Sequence, residues 1–377
     1  MNPTSGVYRF TRLESVVFGA GSIASLGAEL QRRHASRALI VTGNSLGRSR
    51  LLDTVKRAAG AALAGVFTGA VQHVPSKTVG SLVDEARRVG ADSFISFGGG
   101  SPIDTVKVAA MRLLSEKPAG AEMPHIAVPT TLSAGEFTPF GGMTDEAKRE
   151  KGGVGDQRLQ AKVVILDPEL TRETPAWLWA STGMRALDHA VECAYSHRHQ
   201  PLTDLTSARA IAMLAEHLRP SLASTGAEEL EHRVQCQLAA WFSIFGAMNT
   251  GLGVSHALGH QIGPYWNVPH GVTSCITLPH VMRFMAGIAP ERFGPIAEGF
   301  GIRFDTANPR PSALECADRT AKFIAQFEVP TRLRDVGAPH EELGRIAGAV
   351  LSELGRSNAL GRPITATEVN ELLEAAY

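Results

Sequence analysis

The sequence predicts two successive domains, a doubly wound parallel α/β domain followed by an all-α domain. Two observations carry this. Through residues 1–168, short apolar runs alternate with amphipathic helical stretches, the pattern of repeated βαβ units. From Thr174 onward the valine-dense runs stop and helical periodicity takes over, which assigns 169–377 to the second domain. A chain of 377 residues is long enough to bury two cores.

Taken in order, Val16-Val17-Phe18 reads as a first strand closed by Gly19-Ala20-Gly21. Ser22 is expected to cap a helix reaching Arg33. Arg37 to Thr42 is nearly continuous in apolar residues, as in a strand covered on both faces. Helix (49–62), strand (64–68), helix (78–89) and strand (93–97) follow, then a strand from His125 to Val128. Phe140–Thr144 and Leu159–Leu166 read as further strands around a polar, glycine-rich hairpin (145–156). Amphipathic helices are expected near 181–196, 203–222, 227–248, 272–288, 312–328, 340–354 and 366–376. Thr365 or Thr367 is placed to cap the last before Glu368.

Composition narrows the function. Lys plus Arg and Asp plus Glu are both 37, so a nucleic-acid or anionic-membrane surface is not the expected partner. Cys193, Cys236, Cys275 and Cys316 have no C-x-x-C spacing and read as buried thiols of a reducing compartment. Neither a signal sequence nor a run of about 20 apolar residues is present. The expectation is a soluble cytoplasmic protein with no membrane partner.

Two stretches of the first domain can meet a ligand. Gly98-Gly99-Gly100-Ser101 lies between a predicted strand and a predicted helix, so its backbone N–H groups sit at the positive end of a helix dipole. A phosphate can approach there because no Cβ blocks it. The stretch is not the G-x-G-x-x-G fingerprint. Pro129-Thr130-Thr131-Leu132-Ser133 puts hydroxyls just past the end of another strand, where open α/β sheets bind ligands.

The second domain carries a histidine cluster. His256 and His260 are four apart, on one face of a helix expected to start near Gly253. His270 follows a Gly263-Pro264 break, on a segment able to fold back. Three imidazoles so arranged can surround a metal ion or a small polar substrate. A further helix carries Arg185 and His189 on one face, with Asp188 and Glu192 on the next. Taken alone, that helix reads as a solvated charged face.

Together these motifs give a resemblance along nearly the whole chain. The runs VVFGAGSI, GGGSPIDTVK, PTT, LDPELT, TGMRALDHAVE and GLGVSHALGHQIGPYWNVPHGV resemble, in order and spacing, the iron-containing (group III) alcohol dehydrogenases. The resemblance implies a dehydroquinate synthase-like architecture, with a dinucleotide-binding domain, a helical domain, a nicotinamide cofactor in the cleft and a homodimer. It also implies that Gly98, Gly99, Gly100 and Ser101 bind the pyrophosphate. Asp104, Lys107, Thr130, Thr131 and Leu132 would line the same site, and Gly43 would lie near the ribose. No acid follows the second strand, which permits NADPH as well as NADH.

One departure dominates. Metal-dependent members place Asp four residues before the first ligand histidine, where this chain has Arg185. The ligand positions His189, His256 and His270 are present, and His260 matches the histidine assigned to proton relay. Exchanging Asp for Arg beside a divalent ion, at ~5 Å and an effective dielectric of about 20, removes roughly 13 kcal/mol of attraction. Iron or zinc at His189, His256 and His270 is therefore expected to be weakly bound or absent. A guanidinium in its place is a fork suited to a carboxylate.

The maleylacetate reductases, a branch of that family, also lack the Asp and reduce an unsaturated oxo-diacid. The stretch Thr138-Pro139-Phe140-Gly141-Gly142-Met143-Thr144 is similar to theirs, although they have Asn at the Arg185 position. The expectation is an NAD(P)H-dependent reductase of a small carboxylate-bearing oxo acid. Arg185, His189, His256, His260 and His270 would form its catalytic set. The alternatives are an iron- or zinc-dependent alcohol or aldehyde dehydrogenase, a lyase of the dehydroquinate synthase type, and a silent binding protein.

Overall fold

A computed structural model describes residues 5–118, 120–145, 150–357 and 360–377. The chain divides into two compact units, Phe10–Thr174 and Pro175–Tyr377, the latter with the N-terminal segment through Arg9. That segment is tied in by Tyr8, whose hydroxyl donates to Phe245 O at 2.6 Å.

The first unit is a six-stranded, wholly parallel sheet. Its strands are β1 (Ser15–Phe18), β2 (Ala38–Gly43), β3 (Leu63–Ala70), β4 (Ser93–Gly98), β5 (His125–Pro129) and β8 (Val163–Leu166). The sheet order is β1-β8-β5-β4-β2-β3. The unit's longer helices are α1 (Leu26–Arg32), α2 (Arg50–Ala59), α3 (Ser76–Val89) and α4 (Gly100–Ser115). Alternate residues of the central strands feed two cores. Leu39, Val41 and Phe94 pack with Leu82 and Val106, whereas Ile40, Ile95 and Phe97 pack with Leu26 and Val55. Burial on both faces is why these strands are continuously apolar. The chain runs outward from β2 to β3, then returns past β2 to β4, so the order reverses between β2 and β4.

Two local expectations are corrected here. Ser22 does not cap the first helix, because residues 22–25 form a 3-10 turn. Asp167, from beyond β8, accepts from Gly21 N–H at 3.3 Å and Ile23 N–H at 3.0 Å. The hairpin also lies elsewhere. β6 (Phe140–Asp145) pairs antiparallel with β7 (Glu150–Gly155), inside the stretch read as the hairpin turn, while 157–159 is a 3-10 turn before β8. Glycines at 141, 142, 152, 153 and 155 hide the period-2 pattern. Gly141 also packs closely, since a Cβ there would stand 3.0 Å from Lys107 Cβ.

The second unit is helical. Its elements are α5 (Ala176–Tyr195), α6 (Pro201–His217), α7 (Gly226–Ile244), α8 (Val254–Trp266), α9 (His270–Ile288), α10 (Gly294–Phe300), α11 (Pro309–Ile324), α12 (Leu343–Ser357) and α13 (Ala366–Ala376). Thr365 caps α13 in a reciprocal pair with Glu368. The expected helix 203–222 is broken before Pro220, which cannot supply the N–H that a continuing helix needs. α5 is the central helix, packed by α6, α7 and α9 and buried from Trp179 to Tyr195. No helix of the described residues is long and apolar enough to cross a membrane.

Candidate functional site

In the α/β unit, β4 ends at Gly98, Gly99 is the extended residue before α4, and Gly100 begins that helix. Gly98 has φ of 142°, which an L side chain rarely adopts, and a Cβ there would lie 2.9 Å from Pro102. A Cβ on Gly99 would lie 3.0 Å from Thr131 Cγ2. The turn thus presents bare backbone at the first turn of a 16-residue helix, at the carboxyl end of β4. Gly43 ends the neighbouring β2, so both termini border the point where strand order reverses. Thr130 N–H donates to Gly98 O at 3.0 Å, which fixes the adjoining loop. Thr131 Oγ1 donates to Ser133 Oγ at 3.3 Å, and Leu132 is buried.

Asp104 and Lys107 brace the stretch from Gly135 to Gly142. Asp104 accepts from Gly142 N–H at 3.1 Å. The Lys107 ammonium is fully buried and donates to Gly135 O at 2.5 Å and Phe140 O at 2.7 Å. Burial pulls Lys107 below its ordinary range, against the opposing charges of Asp104 and Glu136. Burial also pushes Glu136 up to about 7, although Lys107 counters it.

In the helical unit, three helices bring four imidazoles and one guanidinium together. α5 supplies Arg185 and His189, α8 supplies His256 and His260, and α9 supplies His270. His189 and His256 have ring centroids 4.8 Å apart, and His260 stacks on His270 at 5.1 Å with 3° between planes. Arg185 Nη2 lies 2.6 Å from His270 Nε2, and Nη1 donates to Ser274 Oγ at 3.1 Å. Guanidinium has only N–H donors, so His270 Nε2 is the acceptor. A Cβ on Gly259 would lie 2.6 Å from Thr273 Oγ1, so the close approach of α8 to α9 beside Arg185 needs that glycine.

The geometry departs from expectation in two places. α8 continues through Gly263 and Pro264 to Trp266 and ends at Asn267, whose φ is 54°. Pro264 has no N–H to give to the carbonyl four residues back, so the helix continues there with one backbone bond fewer. His270 is therefore the first residue of α9 and not part of a returning loop. The charged face of α5 is not solvated either, because Arg185, Asp188, His189 and Glu192 are all buried.

Each buried charge has a partner. Asp188 Oδ2 accepts from Ser255 Oγ at 2.8 Å and Ser274 Oγ at 2.6 Å, and lies 3.6 Å from Arg185 Nη1. Glu192 caps α8, accepting from Gly253 N–H and Ser255 N–H, each at 2.7 Å. It also accepts from His256 Nδ1 at 2.8 Å. Burial, then the Asp188 charge, pushes Glu192 up to about 8. Burial, then the Arg185 charge, holds His189 and His256 well below the ordinary histidine value, so both are neutral.

Sequence reasoning missed Glu353. Its Oε1 lies 2.5 Å from His260 Nδ1 and its Oε2 accepts from Gln261 at 3.1 Å. Nothing in the local pattern of α12 marks it.

These residues do not fit a metal held by His189, His256 and His270, because the His270 lone pair already faces a cation. His189 Nδ1 and His256 Nε2 are buried without hydrogen-bond partners. Among the described residues, only Asp188, Glu192 and His256 place three ligand atoms within 4.8 Å of one another. Asp188 Oδ2 and both Glu192 oxygens already accept from hydroxyl or N–H donors, whereas Asp188 Oδ1 is buried without a hydrogen-bond partner.

Comparison with known proteins agrees with this layout. Residues 14–168 match the family model described as iron-containing alcohol dehydrogenase, and 179–377 match the C-terminal model of the iron-containing alcohol dehydrogenase family. The chain is 31% identical to the lactaldehyde reductase of Escherichia coli strain K12, covering 97% of this chain and 98% of that protein. It is 30% identical to the maleylacetate reductase of Pseudomonas sp. strain P51, covering 96% and 95%. Among solved structures, a 1,3-propanediol oxidoreductase superimposes with a TM-score of 0.88 at 28% identity, covering 99% of this chain and 100% of that one.

Proposed function

The chain belongs to the iron-containing alcohol dehydrogenase family and is an oxidoreductase, and from that premise we propose an NAD(P)H-dependent reductase of a small carboxylate-bearing oxo acid. In this reading a guanidinium, and not a metal, polarises the substrate. The observation that carries it is the buried Arg185, hydrogen-bonded to His270 and braced by Ser274 and Asp188. The likeness to the Pseudomonas maleylacetate reductase adds to it.

A nicotinamide dinucleotide, when bound, supplies the hydride. The backbone of Gly98 to Ser101 would hold its pyrophosphate, because that turn has the open approach and helix dipole a phosphate needs. Gly43, rather than an acid, ends β2, so neither NADH nor NADPH is repelled there.

The protein's own groups divide the remaining work. Arg185 is a preorganised cation for a developing oxyanion and for the substrate carboxylate. His189 and His256, held neutral, keep competing positive charge out of the pocket. His260 would deliver the proton, with Glu353 fixing its ring and tautomer through Nδ1, the arrangement that orients a catalytic imidazole.

The test is oxidation of NADH and of NADPH by chelator-stripped protein, with maleylacetate and with lactaldehyde as substrates. Brisk turnover of maleylacetate without metal is expected. Turnover only after iron or zinc is restored, or only with the simple aldehyde, would overturn the reading in favour of a metal-dependent dehydrogenase.

A further inference from the structure

We propose that His217 and His232, whose Nδ1 atoms face each other across the α6–α7 reversal, form a binding site for a divalent transition-metal cation of the zinc class. The site lies outside the imidazole–guanidinium cluster and uses none of its residues.

The chain brings the two rings together by a short connection. α6 ends at His217, a four-residue helical turn at Pro220–Ala223 reverses the direction, and α7 carries His232 in its second turn. The Nδ1 atoms lie 2.9 Å apart, with ring centroids at 5.1 Å and 41° between planes. Two imidazole nitrogens at that distance share a single proton. A metal ion can replace the proton, because zinc–nitrogen bonds of ~2.0–2.1 Å put two tetrahedral ligands ~3.3 Å apart. The rings need to part by only a few tenths of an ångström.

Each outer nitrogen has an exposed carboxylate at ion-pair distance. His217 Nε2 is 3.7 Å from Glu216 Oε2, and His232 Nε2 is 3.8 Å from Glu228 Oε1. The two carboxylates add negative charge beside an incoming cation. The histidine side chains are 16% and 20% exposed, so an ion can enter and keep water in its remaining positions. Burial holds His217 below its ordinary value, against the pull of Glu216, which favours the neutral ring that ligates. Imidazole pairs select zinc, copper or nickel, whereas calcium and magnesium prefer oxygen.

The experiment is calorimetric titration of zinc chloride into the full, chelator-stripped chain, comparing the parent with His217→Ala and His232→Ala. Each variant is expected to bind one zinc fewer than the parent, or to bind it at least tenfold more weakly. Saturating zinc should raise the unfolding temperature of the parent but of neither variant. A Glu216→Gln/Glu228→Gln double variant keeps both rings and should weaken binding roughly tenfold by removing two negative charges beside the cation. It also decides the matter if the alanine variants fail to fold. Equal stoichiometry and affinity in parent and variants, or binding only at millimolar zinc as an adventitious ion, would overturn the proposal.

Discussion

Arg185 Nη2 lies 2.6 Å from His270 Nε2, so a guanidinium stands where three imidazoles would otherwise converge on a cation. Removing the charge while keeping some bulk should separate binding from structure. Arg185→Met is expected to lower kcat/KM for a carboxylate substrate by about 10²–10³, the range for losing one preorganised donor to an oxyanion. Unchanged steady-state kinetics would remove Arg185 from the site.

The reverse exchange is also informative. Arg185→Asp replaces a cation with an anionic ligand and frees His270 Nε2, beside the open nitrogens of His189 and His256. The variant is expected to retain about one equivalent of zinc or iron after dialysis, measured by elemental analysis, where the parent retains none at these residues. A variant as poor in metal as its parent would show that the imidazoles are not placed to ligate.

Glu353 acts through His260 and touches it at 2.5 Å. His260→Ala should reduce kcat by roughly 10²–10⁴ with little change in KM, as for loss of a general acid. Glu353→Gln should cost less and shift the pH–rate profile, since it alters the basicity of the ring rather than removing it. A KM effect without a kcat effect would assign both residues to binding.

Gly99 tests the cofactor turn by itself. Its backbone is open to any residue, yet a Cβ would press Thr131 at 3.0 Å and cover the N–H groups at the start of α4. Gly99→Ala should weaken NADH binding at least tenfold by fluorescence titration, or about 1.4 kcal/mol. The thermal midpoint should move little. Unaltered NADH affinity would place the pyrophosphate elsewhere.

Glu136 gives a pH signature in stability. Its carboxyl is buried and pushed up from 4.5 to about 7, with Oε2 unpartnered. A folded-state value raised above the unfolded one means that native protein holds its proton more tightly. Stability is therefore full below the unfolded value and is lost as pH rises through about 7. The shift corresponds to (7 − 4.5) × 1.36, or roughly 3 kcal/mol. Glu136→Gln should flatten the fall in urea midpoint between pH 5 and pH 8. An identical slope in both proteins would show that the carboxyl is ionised throughout.

Some of the site was legible early. The i,i+4 pairs Arg185/His189 and His256/His260 share helix faces because helical spacing requires it. The glycine turn was marked by its position between an apolar run and an amphipathic one. The Gly263-Pro264 break and the solvated face of α5 were misread, since both depend on what surrounds the helix. Proline near a helix end sacrifices one N–H, and a charged face is buried when neighbouring helices bring hydroxyls, N–H groups and counter-charges to it.

The sequence by itself determined the two-unit plan and which helices carry the histidines. Those follow from periodicity and turn chemistry, which act over a few residues. Only the tertiary structure decided that His270 faces Arg185, that Asp167 and not Ser22 caps the first helical turn, that Glu192 caps α8, and that Glu353 holds His260. Each of those bonds joins atoms about 3 Å apart in space but dozens of positions apart in the chain. Hydrogen bonding depends on that distance and direction, and neither is written in local pattern.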